Sequence, residues 1–154
     1  MALKFSTGLR TKMLGKATVD SGSNGLRGIF DGFFIDIYTG AQPANADQAP
    51  SGSLLLTVSV NAGGGGAPIH FDAPVLGVIN KAAAEVWKGV GVAAGTTGWF
   101  RIRLAADAGT TNTTDPRIDG SVAVSGGDLS LSNTTVAIGT PVTIDTFTLT
   151  ATFQ

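Results

Sequence analysis

The chain has no cysteine. Disulfides and thiolate metal sites are thereby excluded, and the fold must hold by burial, hydrogen bonding and subunit contacts. Charge is scarce: Asp, Glu, Lys and Arg make up 14% of the 154 residues, against about 25% in ordinary domains. With a formal net charge of -1, little electrostatic repulsion opposes association. His70 is the only histidine and Glu85 the only glutamate, so acid–base chemistry has few donors to draw on. No apolar run approaches the roughly 20 residues that a membrane helix needs. The opening Met1-Ala2-Leu3-Lys4-Phe5-Ser6 lacks the apolar stretch of a secretion signal. Asn112-Thr113-Thr114 and Asn133-Thr134-Thr135 fit the glycosylation pattern, but without such a signal they read as Thr-rich loops.

What is present begins with a basic arm, residues 1–27. Lys4, Arg10, Lys12, Lys16 and Arg27 face one acid, Asp20, so half of the ten basic residues lie here. Ser6 is placed to cap a helix running to about Leu14, with Gly15 as its stop. Phe5, Leu9 and Met13 would share one face at i, i+4 spacing. A helix this short is marginal alone in water, so it must dock, either on its own domain or on a neighbouring subunit. Asp20 to Gly25 reads as a flexible hinge, which favours the second alternative.

Residues 28–154 read as one β domain. Phe33, Ile35 and Ile37 alternate with Phe34, Asp36 and Tyr38. Leu54 to Val60 is a Leu- and Val-rich strand, and Val75 to Ile79 a short one. Lys81 to Trp87 is ambiguous between helix and strand. Trp99 to Leu104 alternates cleanly: Phe100, Ile102 and Leu104 point to the core, and Trp99, Arg101 and Arg103 point away. Ile118 to Val124 and a short segment near Leu129 to Leu131 follow. Between them lie the proline-broken Thr39–Pro50, the quadruple glycine Gly63–Gly66 and the Thr-rich Ala108–Pro116. In the closing Pro141 to Phe153, Val142 and Ile144 have one parity, while Phe147, Leu149, Ala151 and Phe153 have the other. This predicts a bulge or bend near Asp145-Thr146 or, as the alternative, a strand with both faces covered at its start. Short strands with Gly- and Pro-rich turns predict an all-β fold, an antiparallel β-sandwich or jelly roll with a short N-terminal helix or arm.

Reactive constellations are sparse, and the chain is read as non-enzymatic, with no catalytic residue, cofactor or metal. His70 and Asp72 would share a strand face, which permits a base or merely a hydrogen-bonded patch. No Gly-x-Ser-x-Gly elbow supplies a nucleophile. Asp107, Asn112, Asp115 and Asp119 are oxygen donors, but their spacing is not that of a calcium loop, and turn chemistry accounts for them. Gly8 to Lys16 is too widely spaced for a phosphate loop, and Ala17 stands where Ser or Thr is needed. Trp99, Arg101 and Arg103 form the most notable group. An exposed stripe of this kind suits a protein contact or the stacking of a sugar or base; a second buried face with Arg stems lying along Trp is the other reading. Tyr38, Trp87 and Trp99 would be the stacking rings of a carbohydrate-binding module, the alternative of another class.

The segments Ile35–Ala44 and Ser51–Leu55, Gly98-Trp99-Phe100-Arg101-Ile102-Arg103, Arg117–Val122 and Pro141–Phe147 resemble small virion structural proteins of tailed phages. The resemblance implies a β-rich module on a symmetric shell or tail, made in the host cytoplasm and located in the virion. It implies capsid decoration foremost, with neck, tail or baseplate as the alternative. It further implies major capsid protein or other virion proteins as partners and a homo-oligomer, a trimer favoured. No direct nucleic-acid or membrane contact is expected. The contact candidates are Phe5, Leu9, Arg10, Lys12, Met13, Trp99, Arg101 and Arg103.

Overall fold

Strand periodicity dominates the structure, a computed structural model that describes residues 3–14, 25–61 and 65–150. The elements in chain order are β1 (Lys4–Phe5), α1 (Thr7–Leu14), α2 (Leu26–Ile29), β2 (Phe33–Thr39), β3 (Leu54–Val60), β4 (Val78–Asn80), β5 (Trp87–Val90), β6 (Gly95–Leu104), β7 (Arg117–Ala123), β8 (Leu129–Ser130), β9 (Thr135–Val136), β10 (Pro141–Ile144) and β11 (Thr148–Thr150). The main sheet runs β1-β7-β6-β2-β3-β5-β10. β8 adds to β7, β9 adds to β6, and β11 pairs with β4 as a separate two-stranded sheet. Pairing is antiparallel except for β7–β8. The fold is all-β and sandwich-like, with a short N-terminal helix, as the alternation predicts.

The apolar face follows from parity. Ile35 and Ile37 of β2, Val58 of β3, Phe100 and Ile102 of β6 and Ile118 of β7 are fully buried in one cluster. Phe147 closes over them, with its ring edge-on to Phe100 at 5.7 Å between centroids. Phe33, Phe71 and Trp87 extend this cluster: Phe33 stacks on Phe71 at 4.4 Å and meets Trp87 edge-on at 5.5 Å. The parity conflict in the closing segment is resolved by a break. β10 ends at Ile144, three residues pass, and β11 starts at Thr148 on a different partner strand. Ile144, Phe147 and Leu149 are all buried as a result. The ambiguous Lys81–Trp87 stretch is a turn at 83–84 that leads into β5.

The arm is fastened to its own domain over residues 3–14. Lys4 and Phe5 pair with Asp119 and Ile118 of β7. Ser6 is fully buried and caps α1: its Oγ accepts the Leu9 N–H at 3.1 Å and the Arg117 N–H at 2.8 Å, and donates to the Asp115 carbonyl at 2.7 Å. Asp47 adds a second clamp, taking the Thr7 N–H and hydroxyl at 2.6 Å each. The expected shared helical face is corrected in one respect: Phe5 lies in β1, before the helix, because pairing with β7 extends the backbone there. Most of the expected hinge, Gly15, two residues of the quadruple glycine, and Ala151 and Phe153 lie outside the described residues.

Gly8 shows packing overriding propensity. A β-carbon there would overlap the Thr114 carbonyl, so α1 lies directly on the 105–116 loop. Alanine is the better helix former by about 1 kcal/mol, yet Gly8→Ala is expected to destabilise the protein, because the overlap is with backbone and cannot be relieved by a rotamer change. Thermal unfolding monitored by circular dichroism should show a lower midpoint; an unchanged or higher one would mean that the helix does not lie against Thr114.

Candidate functional site

The face of the sheet opposite the apolar core carries charge. Parity puts Asp36 and Tyr38 of β2, Trp99, Arg101 and Arg103 of β6 and Arg117 and Asp119 of β7 on it. The register sets Asp36 opposite Arg101 and Arg101 opposite Asp119, an alternating row across three strands. It also sets Arg103 opposite Arg117, a like-charge pair that is unfavourable unless each guanidinium finds an anion.

Each does. Arg101 grips Asp119 with two bonds of 2.7 Å, and both side chains are 0% exposed. Arg103 reaches across to Asp36 at 2.5 Å, where Thr57 and Tyr38 also donate. Arg117 takes Asp107 in a fork of 2.5 and 2.6 Å. Loop carbonyls accept further N–H groups of both side chains: Gln48 from Arg101, and Ala46, Asp47 and Thr110 from Arg117. Two loops, residues 40–53 and 105–116, thus roof the charged face. Fork-to-fork Arg–carboxylate geometry is the arrangement that best offsets desolvation. Tyr38 stacks on Trp99 at 4.6 Å, and the Trp99 N–H donates to the Ser51 carbonyl.

Burial raises the proton affinity of Asp107, Asp119 and Tyr38, and their partners decide the sign. Asp107 is held below the usual carboxylate range because Arg117, the Gly109 N–H and the nearby Arg101 charge outweigh its burial. Burial pushes Asp119 above that range despite Arg101. Burial and the neighbouring Asp36 carboxylate likewise push the Tyr38 phenol up.

These positions correct several expectations. Trp99 and Arg101 are fully buried in the chain and present no contact surface, and Arg103 is mostly covered. The loops that cover them come from distant sequence, which strand parity cannot reveal. Tyr38, Trp87 and Trp99 are all buried, so none is an open ring for a sugar. Leu9 is buried in the core, whereas Phe5, Arg10, Lys12 and Met13 are exposed. Asp107 and Asp119 each hold a guanidinium, and Asn112 and Asp115 bond each other at 2.9 Å, which leaves no open oxygen cage. Among the described residues no group of acids and histidine is placed to hold a metal ion.

His70 is also partnered differently from its sequence context. Its Nδ1 lies 2.7 Å from Glu85 Oε1, and Glu85 Oε2 accepts the His70 and Trp87 N–H groups. Asp72 instead accepts the Ala83 N–H. Glu85 is partly buried, yet these three hydrogen bonds hold its carboxyl below the usual range. The motif ties the 69–72 segment to the turn before β5 and anchors Trp87 in the aromatic cluster.

A different surface is formed beside β4 and β11. An apolar groove of about 470 Å³ is lined by Leu3, Phe5, Met13, Leu26, Val78 and Leu149, among others. Phe5 and Met13 therefore do converge, although not on one helix.

Two outcomes test the charged face. Asp119→Ala leaves Arg101 buried and unpaired, with an expected loss of about 3–5 kcal/mol, whereas the double change Arg101→Met with Asp119→Leu is expected to recover most of it. Denaturant unfolding of the three proteins checks this; a double variant no better than the single one would sink the pairing account. Asp107 contributes stability that is full above its unfolded value near 4 and lost as pH falls through its lower folded value. Asp119, shifted upward, opposes part of that loss. Asp107→Asn should therefore flatten the fall of the unfolding midpoint below about pH 4, and an equally steep fall in the variant would assign it to other groups.

Comparison with known proteins adds no family: no family model, curated protein or solved structure matches the chain.

Proposed function

We propose that the chain is a structural protein of a tailed-phage virion, and within it a capsid decoration protein. It would bind the assembled head as a homo-oligomer, a trimer favoured, over joints between major capsid subunits. The observation that carries the reading is the set of large apolar side chains left uncovered on the exterior. Arg101, Arg117, Asp107 and Asp119 are paired inside the chain and offer no charge to a partner. Large apolar side chains stand on that exterior, among them Met13, Val75, Leu76, Val92 and Ile138, and exposed apolar surface suits protein contact. The segments that resemble virion proteins include those forming β2, β6 and β7, which form the charged face and its support.

The mechanism is mass action. A module that binds only the closed lattice stabilises that lattice in proportion to occupancy, and several weak contacts on one oligomer multiply. Phe5, Arg10, Lys12 and Met13 are the exposed residues offered to a partner from the N-terminal segment. In purified particles of the phage whose genome encodes the chain, quantitative mass spectrometry should count hundreds of copies per virion, on the order of the capsid joints. A few to dozens would move it to the neck, tail or baseplate; absence from the particle would overturn the reading.

A further inference from the structure

The Pro74–Val78 segment breaks two rules at once. Val75 and Val78 exchange both backbone hydrogen bonds at 2.9 Å, leaving Leu76 and Gly77 as a two-residue hairpin loop. Both loop residues have positive φ, 51° and 77°, as the turn type that matches strand twist requires. Glycine fits such a position, and asparagine or aspartate tolerates it; leucine is strained there. The Leu76 side chain gains nothing inside the chain in return, being 98% exposed, and Val75 beside it is 65% exposed. A residue that opposes both backbone and solvation preference marks a place where function overrides folding.

The same hairpin forms one wall of the apolar groove, through Pro74, Gly77 and Val78. The exposure of Leu76 shows that the tip does not fold into its own groove. An apolar projection and an apolar recess of about 470 Å³ thus lie side by side on one surface, which is the arrangement needed for two copies to exchange tips. The recess has room for more than one aliphatic side chain, since a water needs only about 30 Å³. With a net charge of -1, copies repel each other weakly. We propose that the Val75-Leu76 tip of one copy seats in the Phe5–Met13–Leu149 groove of a second copy. This rests on the assembly reading above only in taking the surface as one that meets protein.

Sedimentation velocity on the full chain over a micromolar to millimolar range tests it. The wild type should show concentration-dependent association. Leu76→Asn keeps a residue suited to positive φ, so the fold is preserved while the projection is lost; association should weaken by about tenfold or more. Met13→Glu, on the half-exposed groove wall, should do the same. Mixing the two variants leaves one intact tip and one intact groove, so a one-to-one complex should reappear. A wild type that stays monomeric throughout, or a Leu76→Asn chain that associates as the wild type does, overturns the proposal. Particle binding of the wild type measured in parallel keeps the two readings apart: a wild type that stays monomeric yet binds heads defeats the self-contact alone, and one that associates but binds no heads defeats the decoration role alone.

Discussion

Two guanidinium groups that face each other across neighbouring strands set the terms for the rest of the molecule. The register that aligns the apolar residues of β6 and β7 necessarily places Arg103 against Arg117. Neither can be left unpaired once covered, because a buried charge without a partner costs several kcal/mol. Arg103 is satisfied within the sheet by Asp36, but Arg117 must recruit Asp107 from outside it. That demand draws the 105–116 loop over the face, and the carbonyls of Ala46, Asp47 and Gln48 complete the roof.

The N-terminal segment is held through the same residues. The Arg117 backbone bonds Ser6 in both directions, and Asp47, whose carbonyl faces Arg117, caps α1 with its side chain. Fold, loop positions and arm position are therefore one coupled problem, solved by a few charge-assisted hydrogen bonds. Those charges serve the interior, while Val75, Leu76, Val92 and Ile138 stand in solvent, the opposite of what keeps a solitary protein apart from its neighbours.

Much of this was legible in the residues. Alternation gave the central strands and the inward set Phe100, Ile102 and Leu104, the last of them only partly buried against the core. Ser6 announced the helix start, and the parity conflict between Ile144 and Phe147 announced the break between β10 and β11. The partner of His70 was not legible, since Glu85 lies fifteen residues away and reaches it only after the chain turns back. Nor was Leu76: its composition context reads as an ordinary short strand, and only the backbone angles reveal a hairpin tip under strain.

By itself, then, the sequence determined which residues alternate, and hence that a sheet forms with one apolar face and one charged face. It did so because side-chain direction along a strand depends only on parity, a strictly local rule. Whether Trp99, Arg101 and Arg117 meet water or lie under loops was decided only in three dimensions. Their partners Ser51, Gln48 and Ala46 are roughly fifty to seventy residues distant, and contacts across such separations come from the closure of the whole chain, which no local pattern encodes.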